Sequence, residues 1–410
     1  MDQRPSTEVH NGATDMAGAT VEFECDAMDL FVAALRGAIK HEAAAAGTEH
    51  LLAALVMGDT DAGAAIAPGM RRAGALSGLI SGRGGRGWVS DDGDEDAGTT
   101  VAAAADEDEV TAAWREAHWR VGLAKRGADA DVDRELPGMT GALRRCLLLA
   151  LASARAEGTV SVRCRHVARA VLELPESRAR EALVLQRLDL AAAATALDAL
   201  DASAPAETER PESRGVTLLR RAGTLGRSGN RLTRALTSWT SGAGVYGSPI
   251  VFAVTVEAVR QAARCGRSAA EPVDLLLGIL ALDRSLAVAG RSLPAELADA
   301  NSAAAPLRRH GVRQDSLTRV AMERTTAAPA DSASASDRDA DRIRLSDSAE
   351  RAKAVAQLTA AEHGSPSVGT VHLLAALLEA EDNQVVRLLL AASRVDVAAL
   401  RAELPRRAGA

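Results

Sequence analysis

Apolar positions along this chain recur with helical spacing, and they do so in blocks that resemble one another. Segments starting at Phe23, Met139, Gly247 and Leu345 align without a gap for more than thirty residues, which marks a repeat architecture. In every copy two alanines stand four apart: Ala34 and Ala38, Ala150 and Ala154, Ala258 and Ala262, Ala356 and Ala360. That spacing puts each pair on one helix face and lets a partner helix approach closely. At the second position of three copies, Thr140, Ser248 and Ser346 supply hydroxyls suited to cap a helix start, and Pro249 takes the favoured first helical position. The first copy has Glu24 there, a poorer cap whose carboxylate still suits the positive helix end.

A second helix is predicted from the column Gly47, Arg163, Glu271 and Gly369, 24 residues into each copy. Its apolar stripe reads Leu51, Leu52, Leu55 and Val56 in the first copy, and Leu373, Leu374, Leu377 and Leu378 in the fourth. Copies two and three carry Val167, Ala168, Val171 and Leu172, and Leu275, Leu276, Ile279 and Leu280. A small residue sits inside every stripe: Ala54, Ala170, Gly278 and Ala376. GTEHLLAAL at 47–55 and GTVHLLAAL at 369–377 differ only at Glu49 against Val371. Thr48 and Thr370 are the expected N-caps, with the glycine supplying the turn. Further Ala/Leu-rich stretches, such as 179–200 and 385–400, extend each unit into a small all-α bundle.

With 47% hydrophobic but only 2% aromatic residues, the cores must be built from Ala, Leu and Val. A net charge of -7 argues against a surface made for nucleic acid or anionic lipid. The N-terminal residues show no targeting pattern and no stretch is long enough to span a bilayer, so a soluble, cytoplasmic protein without membrane contact is expected. Cys25, Cys146, Cys164 and Cys265 lack CxxC spacing and read as structural thiols.

Two segments break the repeat. Residues 76–137 hold a glycine-arginine run, acidic clusters and a short helix from Thr111 to Lys125 with Trp114 and Trp119, and read as a partly disordered insertion whose helix packs back on the domain. Residues 204–246 are rich in arginine, including Arg210, Arg214, Arg220, Arg221, Arg227, Arg231 and Arg234, and read as a solvated basic hinge. A charged-partner or nucleic-acid scaffold built on these segments is the alternative function, although arginine without interleaved aromatics makes nucleic acid the weaker partner.

Little catalytic chemistry is legible. Gly82, Gly84 and Gly87 match a GxGxxG pattern, but an acidic stretch from Asp91 to Asp96 follows where a helix is needed. His41 and His50 are nine apart, like His363 and His372, which places each pair on different helices without a completed metal set. No GxSxG elbow occurs. No catalytic residue, metal or cofactor is expected.

The stretches GTEHLLAAL and MTGALRRCLLLALASARAEG resemble the N-terminal repeat of the Clp family of protein unfoldases, the Clp R or Clp N domain. The resemblance implies an all-α chain of two tandem, pseudo-symmetric eight-helix bundles joined by the Arg-rich linker. It divides the chain into a tail at 1–20; a first domain at 21–203, with repeats at about 23–75 and 139–200 around the insertion 76–137; the linker 204–246; and a second domain at 247–410. The second domain holds repeats at about 247–315 and 345–407, separated by 325–341. The family's ATPase needs a Walker A lysine, and Lys40, Lys125 and Lys353 stand in no such motif. What remains is a non-catalytic protein-binding module that takes substrates, adaptors or components of a Clp protease. The family's binding carboxylate falls on Glu49, so Thr48, Glu49 and His50 form the implied peptide- or degron-binding site, including for proteins phosphorylated on arginine. The other copies carry Arg165, Val273 and Val371 in that column.

Overall fold

The shared alanines are all buried, at 0–2% exposure, because each lies where two helices of a hairpin touch. The computed structural model describes residues 21–58, 60–69, 74–83, 88, 91, 101–125, 136–203, 211–225, 248–327, 343–379, 384–393 and 395–404. Among them are nineteen α-helices and three two-residue parallel strand pairs. The tail 1–20 and the stretches 226–246 and 328–341 lie outside the described residues.

Every copy opens with a helical hairpin. The hairpins are α1 (Cys25–Lys40) with α2 (Thr48–Met57), α6 (Gly141–Ala156) with α7 (Cys164–Glu173), α11 (Pro249–Arg264) with α12 (Pro272–Val288), and α16 (Asp347–Glu362) with α17 (Thr370–Glu379). Thr140, Ser248 and Ser346 cap as expected, each hydroxyl accepting a backbone N–H from the first turn at 3.2–3.3 Å, whereas Glu24 makes no side-chain cap. In the third copy the small column explains itself. A Cβ on Gly278 would come within 2.6 Å of the Val254 carbonyl and 3.0 Å of the Ala258 nitrogen, so α12 lies against the backbone of α11 at the alanine face.

Each first helix ends in the same turn. The amide after the left-handed residue reaches back five residues to the second shared alanine, as Ala43 to Ala38, Thr159 to Ala154, Arg267 to Ala262 and Ser365 to Ala360, at 2.9–3.0 Å. Copies two to four place Gly158, Gly266 and Gly364 at the positive-φ position, but the first copy places Glu42 there at φ 53°.

The strand pairs tie copy to copy. β1 (Glu22–Phe23), just before α1, pairs in parallel with β4 (Ser161–Val162), just before α7; β2 (Ala45–Ala46), before α2, pairs with β3 (Gly138–Met139), before α6. The start of each hairpin helix in copy one is thus joined to the opposite start in copy two. β5 (Ala269–Ala270) and β6 (Arg344–Leu345) join copies three and four in the same way.

Buried apolar side chains form two clusters, one from Phe23 to Leu197 and one from Val216 to Leu404. The first also takes in α3 (Asp61–Ile66), α4 (Ala75–Arg83), α8 (Arg178–Leu185) and α9 (Leu190–Ser203); the second takes in α10 (Arg214–Arg221), α13 (Ala295–Ala298), α14 (Ala304–Arg309), α15 (Gln314–Ala327), α18 (Gln384–Ser393) and α19 (Val397–Ala402). Helix α10 corrects part of the hinge expectation. Ser213 caps it, and Val216 and Leu219 are fully buried against α11 and α12, so part of the arginine-rich stretch belongs to the second core.

The helix expected within the insertion packs back as anticipated and is longer than the sequence suggested. This helix, α5, runs over 25 residues from Val101 to Lys125 and packs on both α1 and α11. Val110, Ala113, Ala117 and Val121 face inward at 0–2% exposure. On the same helix Glu109 and Glu116 meet Arg264 and Arg260 of α11, joined by Glu22 of β1. Arg284 of α12 binds Glu24 at 2.7 Å. The two cores are therefore joined by a buried ionic cluster in which Glu22, Glu24, Glu109 and Glu116 of the first meet Arg260, Arg264 and Arg284 of the second, with Arg120 of α5 and Glu257 of α11 adding a charge of the other sign on each side. Burial alone would push the Glu116 carboxyl up, but Arg260, Arg120 and Arg264 hold it down at about 2; Arg284, Arg260 and Arg264 likewise hold Glu22 far below the carboxylate range. An intact cluster of this kind adds little net stability, because desolvating each ion costs about as much as pairing returns.

Candidate functional site

The Gly-Thr-x-His motif divides into four jobs once it is folded. Gly47 is extended at φ -110°, so it is not a turn glycine; a Cβ there would lie 2.2 Å from Glu49 Oε2 and 2.9 Å from Asp91 Oδ2, so those two side chains would have to shift. Gly369 is confined more tightly, since its Cβ would strike the Ala300 carbonyl. The threonines are not N-caps. Thr48 and Thr370 are the first residues of their helices, and their hydroxyls accept the amides of Ala179 and Ala303, at 3.1 and 3.3 Å, from the neighbouring copy.

Capping falls to the fourth residue. His50, His166 and His372 accept the amides of Gly47, Arg163 and Gly369 on Nδ1 at 2.9–3.2 Å, and Asp274 does the same for Glu271 in copy three. An acceptor at this place satisfies one of the orphan amides at a helix start. His50 also lies beside His41, with ring centroids 5.7 Å apart. Burial, His41 and Arg178 hold the His50 ring down at about 4, so it stays neutral and keeps Nδ1 as an acceptor.

The variable residue is the charged one. Thr48, Glu49 and His50 are all buried, at 0–4% exposure, so none of the three presents itself to solvent. Glu49 Oε1 binds Arg178 Nη1 of α8 at 3.1 Å, while Glu49 Oε2 is buried with no hydrogen-bond partner. Burial raises the Glu49 carboxyl, Arg178 opposes that, and Asp91 adds to the rise.

Asp91 is the residue that the sequence did not single out for this place. Fully buried, its carboxylate accepts the Thr48 amide at 2.9 Å, the Thr48 hydroxyl at 3.0 Å, the Thr140 hydroxyl at 2.9 Å and the Arg178 amide at 3.1 Å. Three helix starts, those of α2, α6 and α8, thus converge on one carboxylate, as the positive ends of helix dipoles favour. In the second half the Thr370 amide is accepted at 3.1 Å by the neutral Asn301 Oδ1. Arg178 had a sequence signal, standing at the start of the 179–200 helical stretch; Asp91 had none, because its partners come from three distant segments.

The remaining columns fill with internal contacts. Arg165 pairs with Glu157 at 2.6 Å, Val273 is buried, and Val371 packs on the second core. Burial pushes the Cys25 and Cys265 thiols up to about 11 and those of Cys146 and Cys164 higher still, which disfavours the reactive thiolate. Among the described residues no group of three or more His, Cys, Asp or Glu is placed to hold a metal ion, and no helix is long and apolar enough to cross a membrane. Comparison of the chain with protein-family models found no match, and neither did comparison with curated proteins or with solved structures.

Proposed function

We propose that this chain is a non-catalytic protein-binding module of the Clp N-terminal kind, acting in the cytoplasm on substrates, adaptors or components of a Clp protease. Its two cores correspond in this reading to two tandem, pseudo-symmetric bundles, and the parallel pairs joining copy one to two and copy three to four support it. The binding site is the α2 start at Thr48, Glu49 and His50. The observation that carries the reading is the seat of Asp91. Four donors from the starts of α2, α6 and α8 hold a carboxylate, and next to it Glu49 Oε2 is buried with no hydrogen-bond partner. A ligand with an anionic group beside a guanidinium, such as a protein phosphorylated on arginine, would satisfy both halves of the site after displacing Asp91.

Affinity capture from cell lysate followed by mass spectrometry tests this with the intact chain, Glu49→Ala and Asp91→Ala. Clp components or their clients should be enriched by the intact chain, enriched further by Asp91→Ala and lost with Glu49→Ala. Absence of such proteins from all three captures overturns the reading. Equal capture by all three keeps the partner and removes the site.

A further inference from the structure

The third copy departs from the other three, and the departure builds a cavity. Helices α2, α7 and α17 each run for 10 residues, whereas α12 runs for 17. The extra turns, Leu282–Val288, carry the chain past the point where the other copies break. The segment that follows, through α13 and α14 to the start of α15, folds back over the extension but does not close on it. A cavity of about 400 Å³ remains between them, reaching from Ile250 to Thr370 at the α17 start. That volume falls among sites that take small molecules, about 300–1,000 Å³, and is far above the water-sized voids of ordinary packing.

The cavity is lined by apolar side chains and by three arginines, each with a carboxylate partner. Ile279, Leu282 and Leu286 of α12, with Leu293 and Val312, provide the floor. Its polar lining includes Arg284, Arg291 and Arg308 against Asp283. Arg284 is fixed in the back wall by Glu24 and by the Val160 carbonyl, both at 2.7 Å, so that wall is held by the first half of the chain. Arg308 bonds Asp283 and is 35% exposed. Arg291 is 48% exposed and touches Glu212 at only 3.4 Å, while Glu212 is held more closely by Arg220 at 2.7 Å. Arg291 therefore gives up its contact at little cost and is free to turn toward a ligand in the mouth.

We propose that this cavity binds a small amphipathic anion, with an unbranched apolar body along α12 and an acidic head between Arg291 and Arg308. No aromatic side chain lines it, so the floor suits an alkyl chain better than a stacked ring. The site lies in the half whose Glu49 column carries valines, and it stands apart from the protein-binding reading of the α2 start.

The experiment is calorimetric titration of the full chain with dodecanoate, dodecanol and dodecyltrimethylammonium below their aggregation concentrations. Dodecanoate should bind once per chain and about tenfold or more tighter than either other head group. Ala305→Trp, which fills the cavity from a half-buried wall position, should abolish that binding. Arg291→Glu, at an exposed position, should weaken it about tenfold and keeps the test decisive where the tryptophan variant fails to fold. No dodecanoate binding, equal binding of all three amphiphiles, or unchanged binding in a folded Ala305→Trp or in Arg291→Glu overturns the proposal.

Discussion

Arg260 Nε bonds both carboxylate oxygens of Glu116, at 3.1 and 3.0 Å, across 144 positions of sequence. The same guanidinium reaches Glu22 at 2.9 Å and Glu257 at 3.3 Å. Arg260 thus shares the contact between α5 and α11 with Arg264, which reaches Glu109 and Glu116. Arg260→Met should cost about 3 kcal/mol in denaturant unfolding, because it takes one cation from buried carboxylates and leaves Glu116 to Arg120 and Arg264 and Glu22 to Arg284. Adding Glu116→Gln should recover part of that loss. A single-variant loss below about 1 kcal/mol would mean that the cluster does not join the two cores in solution.

The His50 ring gives a pH dependence with a definite sign. Its folded value is about 4 against 6.5 for a free ring, so the unfolded chain takes up the proton first. Its contribution is fully present above pH 6.5 and is lost as the pH falls toward 4, by on the order of 3 kcal/mol. His50→Asn keeps an acceptor for the Gly47 amide but does not titrate, so its melting temperature should fall less than that of the parent over this window. Parallel curves for the two proteins would count against the buried neutral ring.

Glu42 occupies the left-handed position that glycine fills in the other three copies, at φ 53° against 62–74°. A side chain there costs about 1–2 kcal/mol, a penalty glycine avoids. Glu42→Gly should therefore raise stability by about 1 kcal/mol, read as a higher denaturation midpoint at unchanged slope. A lower midpoint would show that the Glu42 side chain outweighs the strain.

At Gly278 the smallest possible change should be felt. An added methyl would come within 2.6 Å of the Val254 carbonyl, which can move only by shifting α11. Gly278→Ala should cost about 1–3 kcal/mol despite alanine's better helix propensity. Gly78→Ala in α4, where a Cβ meets nothing within 4 Å, should be neutral or stabilising. Equal effects at the two sites would rule out the close approach of α11 and α12.

Local chemistry made much of this fold legible. Thr140, Ser248 and Ser346 had hydroxyls at the right place to cap, and alanines four apart had to share a face; neither depends on what lies across the core. The glycines and threonines of the Gly-Thr-x-His motif were readable as positions but not as jobs. Whether Gly47 serves a turn or a tight contact depends on Asp91, 44 residues away, and whether Thr48 caps its own helix or accepts the Ala179 amide depends on copy two. The length of α12 did have a signal, since no glycine or proline stands between Leu280 and Val288 to break it as Gly58 or Pro175 does elsewhere.

The sequence by itself determined the hairpin helices, the hydroxyl caps at Thr140, Ser248 and Ser346 and the alanine faces, because those follow from hydrogen bonds and side-chain spacing within a few residues. Only the tertiary structure decided what became of the charges. Asp91 and α5 lie in a segment whose composition suggests disorder, yet arginines and helix starts from remote parts of the chain make their burial favourable. Electrostatic pairing in a low-dielectric interior is set by distance in space, and a linear sequence does not carry that distance.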